Sequence, residues 1–435
     1  MSWLRSATTA TGEIVDVEIV DGVIGQVLPA AAGDAPPATG AAGDAPAVGG
    51  AGDVDLSGQV LLASFVEPHA HLDKALTASL GRNLTGDLAG AIAAMDDLRA
   101  VTTPAHIIAR AEAALRIHLA YGTTHIRTHV NVLSDVGLAG MEAMIEVRER
   151  WRGVIDLQLV ALVNDTSGPL LRAALKVGAD VAGGCPHMED DPDRAVAACL
   201  DAAGEAGVPM DLHTDETLSP AALSLRTMAD LVLRTGFGHG VTASHCVSLA
   251  MQPVETQREI SELVAAAGIA VVALPQTNLF LQGRDQPVAT PRGLTAVAAL
   301  RRAGATVAAG GDNLRDPFHL VGRGDALEVA ALMITCGHLD PAAALDTVTG
   351  QARVAMGLPA VTLTPGAPAD LVAMPASDLL DALGIAGAER TVWRDGRVVA
   401  RTVVHSDLAA PAGATPVSSA AAWSRASATP FEPET

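Results

Sequence analysis

Apolar and polar positions change period twice along the chain. Residues 13–28 read EIVDVEIVDGVIGQVL, with valine and isoleucine alternating with acids around Asp21-Gly22. A period of two around an Asp-Gly pair predicts a β-hairpin. Short β-like runs return over residues 359–404, as ADLVAMP and ERTVWRDGRVVA. Between these ends the pattern is different. Eight short apolar runs recur: QVLLASFVEP (59–68), THIRTHV (124–130), DLQLVALV (156–163), DVAGGCP (180–186), PMDLHTD (209–215), VTASHC (241–246), IAVVALPQ (269–276) and TVAAGGD (306–312). Segments with helical spacing separate them, among them DRAVAACLDAAGEAG and ALEVAALMITCG.

Strand and helix alternating eight times predict an α/β protein, a (β/α)8 barrel in preference to an open sheet. The alternation alone fits an open eight-stranded sheet equally well. The polar endings of the runs discriminate better. The first ends at His69-Ala-His71, the fifth at His213-Thr-Asp-Glu216, the sixth at His245 and the eighth at Asp312. In a barrel, side chains at the C-terminal ends of the strands converge on one mouth, where the chemistry is done.

Two segments lie outside this pattern. Residues 30–52 are rich in Ala, Gly, Pro and Asp, with AAGDAP at 31–36 and again at 41–46. This reads as a low-complexity surface loop. From about Leu408 the chain is rich in Ala, Ser, Pro and Thr, the composition of a disordered tail. The expected division is 1–58, then the barrel over 59–355, then 356–407, then a tail over 408–435.

Composition narrows the class. The 435 residues suffice for one barrel and an appendage, and 49% of them are apolar. Aromatics are 2%, so the core must be aliphatic, as in parallel-stranded α/β proteins. A net charge of −21 repels phosphate backbones and argues against a nucleic-acid partner. The four cysteines form no CxxC pair, which speaks against a disulfide framework or a cysteine zinc site. No apolar run reaches the length of a membrane helix, and the first residues lack the apolar core of a signal peptide. A cytoplasmic protein is expected.

The strand endings also suggest a chemistry. On a strand, His69 and His71 point to the same side, because side chains alternate with period two. Two neutral imidazoles suit a borderline divalent ion, Zn2+ or Fe2+. His213 and Asp312 would complete a set of three histidines and one carboxylate. Such an ion lowers the pKa of a bound water, and the resulting hydroxide is the nucleophile. Glu216, three residues beyond His213, can shuttle a proton from that water to a leaving nitrogen. Its bland alternative is a surface carboxylate near a helix start. His245 can polarise the water or stabilise an oxyanion, and its alternative is a hydrogen-bonded core histidine. Asp312 can serve as both ligand and proton acceptor. The only lysines are Lys74 and Lys176, and neither is placed to bridge two metals on the fourth strand, so one ion is expected.

With these stretches in hand the chain resembles the amidohydrolase superfamily, and within it the cytosine deaminase group. The resemblance rests on FVEPHAHLDKALT, RTHVNV, IDLQLVAL, GADVAGGCPHME, DLHTDE, VTASH, LQGR, GDNLRDPF and PGAPADLV, and runs from about Glu13 to Val404. It implies that the two ends of the chain form a small β-sandwich beside the barrel. It also implies a single Zn2+ or Fe2+ on His69, His71, His213 and Asp312, with Glu216 as acid/base and His245 polarising the water. Gln282 and His187 correspond to positions in or behind the substrate pocket. The implied reaction is hydrolytic deamination of a small amino-substituted N-heterocycle, a pyrimidine, oxopurine or s-triazine, with release of ammonia. Barrels of this family often associate, which leaves a homo-oligomer open.

Three departures from the cytosine enzymes touch substrate recognition. Where they carry Phe-Pro-Gln after the third strand, this chain has Leu162-Val163-Asn164, a shorter amide suited to a bulkier ring edge. Where they carry a second aspartate after the metal aspartate, it has Asn313, which can donate as well as accept. Phe318 stands where a tryptophan is common. The DNLRD run is more similar to N-isopropylammelide isopropylaminohydrolases, which remove alkylamines from s-triazines. Removal of an alkylamine, or opening of a cyclic amide, is therefore the alternative reaction. A non-catalytic ligand-binding barrel is the alternative of another class.

Other residues have two readings. His125 and His129 can support the site or simply pack. Arg127 reads as a buried charge partner. His239 reads as a loop residue. Asp215 can contact substrate or cap the next helix, and Lys74 can line the mouth.

Overall fold

The computed structural model describes residues 1–30, 48, 50, 52–99 and 101–405. Most of the low-complexity segment and the whole tail from residue 408 lie outside the described residues. The chain divides into two compact units, Phe65–Ala360 and a second built from Met1–Ser64 with the segment from Val361 onward.

In the first unit the eight runs form parallel strands: β1 (Phe65–Ala70), β2 (Thr123–Val132), β3 (Asp156–Val163), β4 (Val181–Gly184), β5 (Met210–Thr214), β6 (Val241–His245), β7 (Ala270–Ala273) and β8 (Val307–Ala309). They pair in sequence order. A parallel bridge between Ala70 and Asp312 joins the last strand's end to the first. This is a (β/α)8 barrel. Strands β1, β5 and β6 are buried at every position, because helices cover the face that a solvated sheet would leave polar.

Local chemistry starts the helices where the sequence supplies caps. Thr103 accepts from the His106 amide ahead of Pro104–Ala120, and Asp191 accepts from the Arg194 amide ahead of Pro192–Ala206. The latter helix stops at Gly207, at a φ of 68° that glycine adopts without strain. At the strands' N-terminal side, Gly350–Met356 packs Ala352, Ala355 and Met356 against Val66, Val272 and Ala308.

The second unit contains one eight-stranded sheet drawn from both ends of the chain. Its two halves share a core that includes Leu4, Val17, Ile19, Leu371 and Trp393, so the sheet folds over into the expected sandwich. The Asp-Gly hairpin is present, with Asp21 and Gly22 at φ of 50° and 86° between Ile14–Val20 and Val23–Pro29. Asp395-Gly396 makes the same turn between Arg390–Arg394 and Arg397–Thr402. One expectation changes. The run 59–68 is two strands: Gln59–Ala63 pairs antiparallel with Leu371–Pro375, and β1 begins only at Phe65. Both halves are apolar, so periodicity could not reveal the break at Ser64.

Candidate active site

The chain turns sharply where its strands reach the mouth. Asp215, His245 and Asp312 have φ of 51°, 70° and 62°, left-handed values that cost free energy in any residue with a side chain. Strain of this kind persists where the surroundings hold it.

His69 and His71 both point their Nε2 atoms at one carboxylate oxygen. Asp312 Oδ1 lies 3.6 Å from His69 Nε2 and 3.2 Å from His71 Nε2. His213 Nε2 lies 3.1 Å from His71 Nε2. His69 Nε2 and Asp312 Oδ1 are buried without a hydrogen-bond partner among the described residues. Ligands about 2.05 Å from a tetrahedral ion stand about 3.3 Å from one another, so this spacing fits a metal. His69, His71 and His213 form one group able to hold an ion, and His69, His245 and Asp312 another; imidazole and carboxylate donors of this kind suit zinc or ferrous iron. Burial, followed by the neighbouring histidines, holds His69 and His213 well below the usual histidine pKa and leaves them neutral. Neutral imidazoles offer the lone pairs that a cation needs.

The ring orientations are fixed from behind. His71 Nδ1 donates to the His129 carbonyl at 3.1 Å, which frees its Nε2 lone pair for the centre. His69 Nδ1 lies 2.9 Å from Ser244 Oγ, which donates to Asp211 Oδ1 at 2.9 Å. Asp211 is in turn paired with Arg127 at 2.9 Å, both fully buried inside the barrel. Ser244 and Asp211 lie on the neighbouring strands β6 and β5, while His69 meets Ser244 from β1, which is not paired with either. His129 lies over His69, with ring centroids 3.9 Å apart.

On the open side, Glu216 and His245 stand together. Glu216 Oε1 is 3.4 Å from His245 Nδ1, and His245 Nε2 is 4.0 Å from Asp312 Oδ2. Burial, reinforced by Asp312, pushes the Glu216 carboxyl well above its ordinary range. Burial pulls His245 down to about 4 despite the attraction of Asp312. A carboxyl raised in this way can take and return a proton near neutrality.

The remaining expected residues are placed less uniformly. Gln282 Nε2 donates to the Glu216 carbonyl at 3.3 Å. His187 Nδ1 donates to the His213 carbonyl at 3.1 Å, while its Nε2 is buried without a partner among the described residues. Both ends of the Asn313 amide are engaged: Nδ2 donates to Asp316 at 2.8 Å, and Oδ1 accepts from Thr277 at 3.2 Å. Asn164 is exposed just past β3 and makes no side-chain hydrogen bond among the described residues. Phe318 is half-buried, with the Lys74 ammonium 4.7 Å from its ring centre. Lys176 is exposed on the helix Pro169–Val177, away from any bridging position.

Of the residues with two readings, Asp215 caps a helix, accepting from the Ser224 and Leu225 amides at 2.9 and 3.0 Å. Arg127 is the buried partner of Asp211. His239 is an exposed loop residue. Burial pushes the Cys185 thiol up to about 12, which rules it out as a thiolate nucleophile.

Three residues at the site were missed in the sequence. Ser244 and Asp211 lie on strands between the residues that attracted notice. Asn278, on the short helix Pro275–Leu281, donates from Nδ2 to Glu216 Oε1 at 3.1 Å and also contacts His245 Nδ1. A signal existed for Asn278: it precedes Gln282 by four residues, one helical turn.

A parallel barrel whose strand ends gather three histidines, an aspartate and a raised glutamate defines a metal-dependent hydrolase. Comparison with known proteins specifies the family. The Amidohydrolase family matches residues 108–400, more than half of the chain, and the protein belongs to it. It is 35% identical to a pterin deaminase of Rhizobium rhizogenes over 402 residues, which cover 89% of this chain and 88% of that one. Its fold is similar to that of 5-methylcytosine deaminase from Klebsiella pneumoniae liganded with phosphonocytosine. There the TM-score is 0.82 and the identity 29%, with 94% of this chain and 100% of that one covered. N-isopropylammelide isopropylaminohydrolase from Burkholderia multivorans gives a TM-score of 0.75 and 32% identity, covering 92% of this chain and 99% of that one. The chain is thus a hydrolase of carbon–nitrogen bonds. Among the described residues, no helix is long and apolar enough to cross a membrane.

Proposed function

We propose that this enzyme hydrolytically deaminates a bicyclic amino-oxo heterocycle of the pterin kind. The observation that carries the reaction type is the grouping of Glu216, His245 and Asp312 beside His69, His71 and His213. The substrate class draws on the likeness to the pterin deaminase. His69, His71, His213 and Asp312 would hold one divalent ion, Zn2+ or Fe2+. Bound there, the ion supplies an acidified water at neutral pH.

The protein's own groups do the rest. Glu216 accepts a proton from the attacking water and delivers it to the exocyclic nitrogen. The new C–O bond forms at the ring carbon bearing the amine, the C–N bond breaks, and ammonia leaves. His245 orients the water from the side of Asp312. Asn164 is short enough to leave room for a second ring at the mouth. His187 Nε2, Gln282, Asn313 and Phe318 surround the ring, with Asn313 acting through its hold on Asp316. Removal of an alkylamine is the second reading, favoured by the 32% identity to the isopropylaminohydrolase. Four free cysteines suit the reducing cytoplasm, and the charge of −21 disfavours a nucleic-acid partner. A homo-oligomer is compatible with this reading.

The test is ammonia release from pterin, cytosine, 5-methylcytosine and N-isopropylammelide after loading with Zn2+ or Fe2+. Pterin is expected to give the highest kcat/KM. No ammonia from pterin with either metal would overturn the substrate class.

A further inference from the structure

We propose that Glu67 is the positioning residue that clasps β1 to the end of β8, and so sets the spacing between His69 and Asp312, through the two oxygens of its carboxyl group. The proposal rests on the reading of those two residues as metal ligands. From β1 to β8, each pair of neighbouring strands shares a ladder of at least three residue pairs. The closing seam between β8 and β1 has only the Ala70–Asp312 bridge among the described residues. Glu67 lies in that seam, buried, two residues before His69. Its Oε1 accepts from the His69 amide at 3.1 Å, and its Oε2 accepts from the Gly311 amide at 2.8 Å. One amide belongs to a ligand, and the other to the residue just before a ligand.

The facing chain leaves room for the carboxyl. A Cβ at Gly310 would collide with Glu67 Oε1, and one at Gly311 would crowd Oε2 at 3.1 Å. Neither glycine has a positive φ, so room rather than conformation explains both. Gly310-Gly311 ahead of Asp312 is thus the counterpart of Glu67 ahead of His69. The seam requires two acceptors, since either amide would otherwise be a buried donor without a partner. A glutamine has one acceptor oxygen and would turn an N–H toward one of the amides. The clasp does not depend on charge. Burial pushes the Glu67 carboxyl up to about 8, and its oxygens keep acceptor capacity in either state. Glu67 acts through the backbones of His69 and Gly311, not on the reacting atoms.

The test uses the full chain loaded with Zn2+ or Co2+. The visible spectrum of the Co2+ protein reports how the ligands stand around the ion, which a loss of folding stability alone would not move. Glu67→Gln should weaken Zn2+ binding by about 10- to 100-fold, read by competition with a chromophoric chelator, and alter the Co2+ bands. Gly310→Ala keeps the carboxyl but displaces it, and should change both readouts in the same direction. Both variants open one clasp, so the double variant should lose no more Zn2+ affinity than the weaker-binding single variant. Zn2+ affinity within twofold of wild type with unchanged Co2+ bands, in either variant, overturns the proposal, even where the Tm of the metal-free protein falls. So does a crystal structure of the Zn2+-loaded wild type in which Glu67 bonds to only one of the two amides, and that measurement decides the matter should neither variant fold. Wild-type protein that binds neither ion would overturn the reading of the four ligands, and the proposal with it, before any variant is compared.

Discussion

The backbone amide of Asp312 donates to the carbonyl of His69 at 3.0 Å. His71 returns the contact, its amide donating to the Asp312 carbonyl at 3.2 Å. These bonds form the bridge that joins the end of the eighth strand to the end of the first. The residues that close the barrel at its mouth are therefore the same ones proposed to hold the metal. Leu76 and Ala78 extend the seam, donating to the carbonyls of Leu314 and Arg315 at 2.9 and 2.8 Å.

Stability and metal should then be linked. An ion that binds only the folded chain stabilises it by about 2.7 kcal/mol at a hundredfold excess over Kd. Chelation is expected to lower the Tm, and restoring Zn2+ to raise it in a concentration-dependent way, measured by calorimetry. Asp312→Ala should remove that dependence. A Tm indifferent to chelator and to Zn2+ would contradict the assignment of the four ligands.

Glu216→Gln keeps the size of the side chain and its contact with Asn278 while abolishing its titration. Turnover on the deaminated substrate should fall by about 10²- to 10⁴-fold. Metal content, measured by atomic emission, should stay at one ion per chain. Retained turnover would remove Glu216 from proton transfer.

How much of this was legible beforehand depends on which pattern each feature leaves. The eight runs and the Asp-Gly hairpins are written in local periodicity and turn chemistry, so the barrel and the folded-over sheet could be expected. His69, His71, His213, Glu216, His245 and Asp312 each end an apolar run with a polar side chain, which marked them. The break at Ser64 left no mark, because one strand stops and another starts within continuous apolar sequence. Ser244 and Asp211 were hidden for a related reason: each sits inside a strand, where only the three-dimensional register shows that it faces His69. Asn313 was legible as a departure from the cytosine enzymes. Its engagement by Thr277 and Asp316, 36 residues before it and 3 after it, was not.

The relay behind His69 predicts a graded loss. Ser244→Ala removes the hydroxyl that links His69 Nδ1 to Asp211 and leaves the ligand ring free to turn. Metal affinity should weaken by about 10- to 100-fold, measured by competition with a chromophoric chelator. Asp211→Ala should do more, because it also leaves Arg127 as an unpaired buried cation. Breaking a buried pair in this way costs about 3–5 kcal/mol. Urea denaturation should show that cost for Asp211→Ala and much less for Ser244→Ala. An unchanged metal affinity in Ser244→Ala would mean that the serine does not couple Asp211 to His69.

Acid should unfold this protein through its buried histidines, and His118 gives the clearest measure because it is not one of the residues proposed to hold the metal. It lies on the helix Pro104–Ala120 with only 4% of its surface exposed, and its Nδ1 has no partner among the described residues. Burial lowers its pKa from 6.5 to about 4. The sign follows from proton counts. Between those two values the unfolded chain binds a proton at this site and the folded chain does not. Stability therefore rises with pH across that window and is lost as the pH falls from 6.5 toward 4. A shift of that size corresponds to a loss on the order of 3 kcal/mol. His118→Gln cannot titrate, so its stability should fall less steeply over the same range. Denaturation of the metal-free proteins at pH 7 and at pH 4.5 measures the difference. Parallel curves for wild type and variant would show that His118 is hydrated or paired in solution.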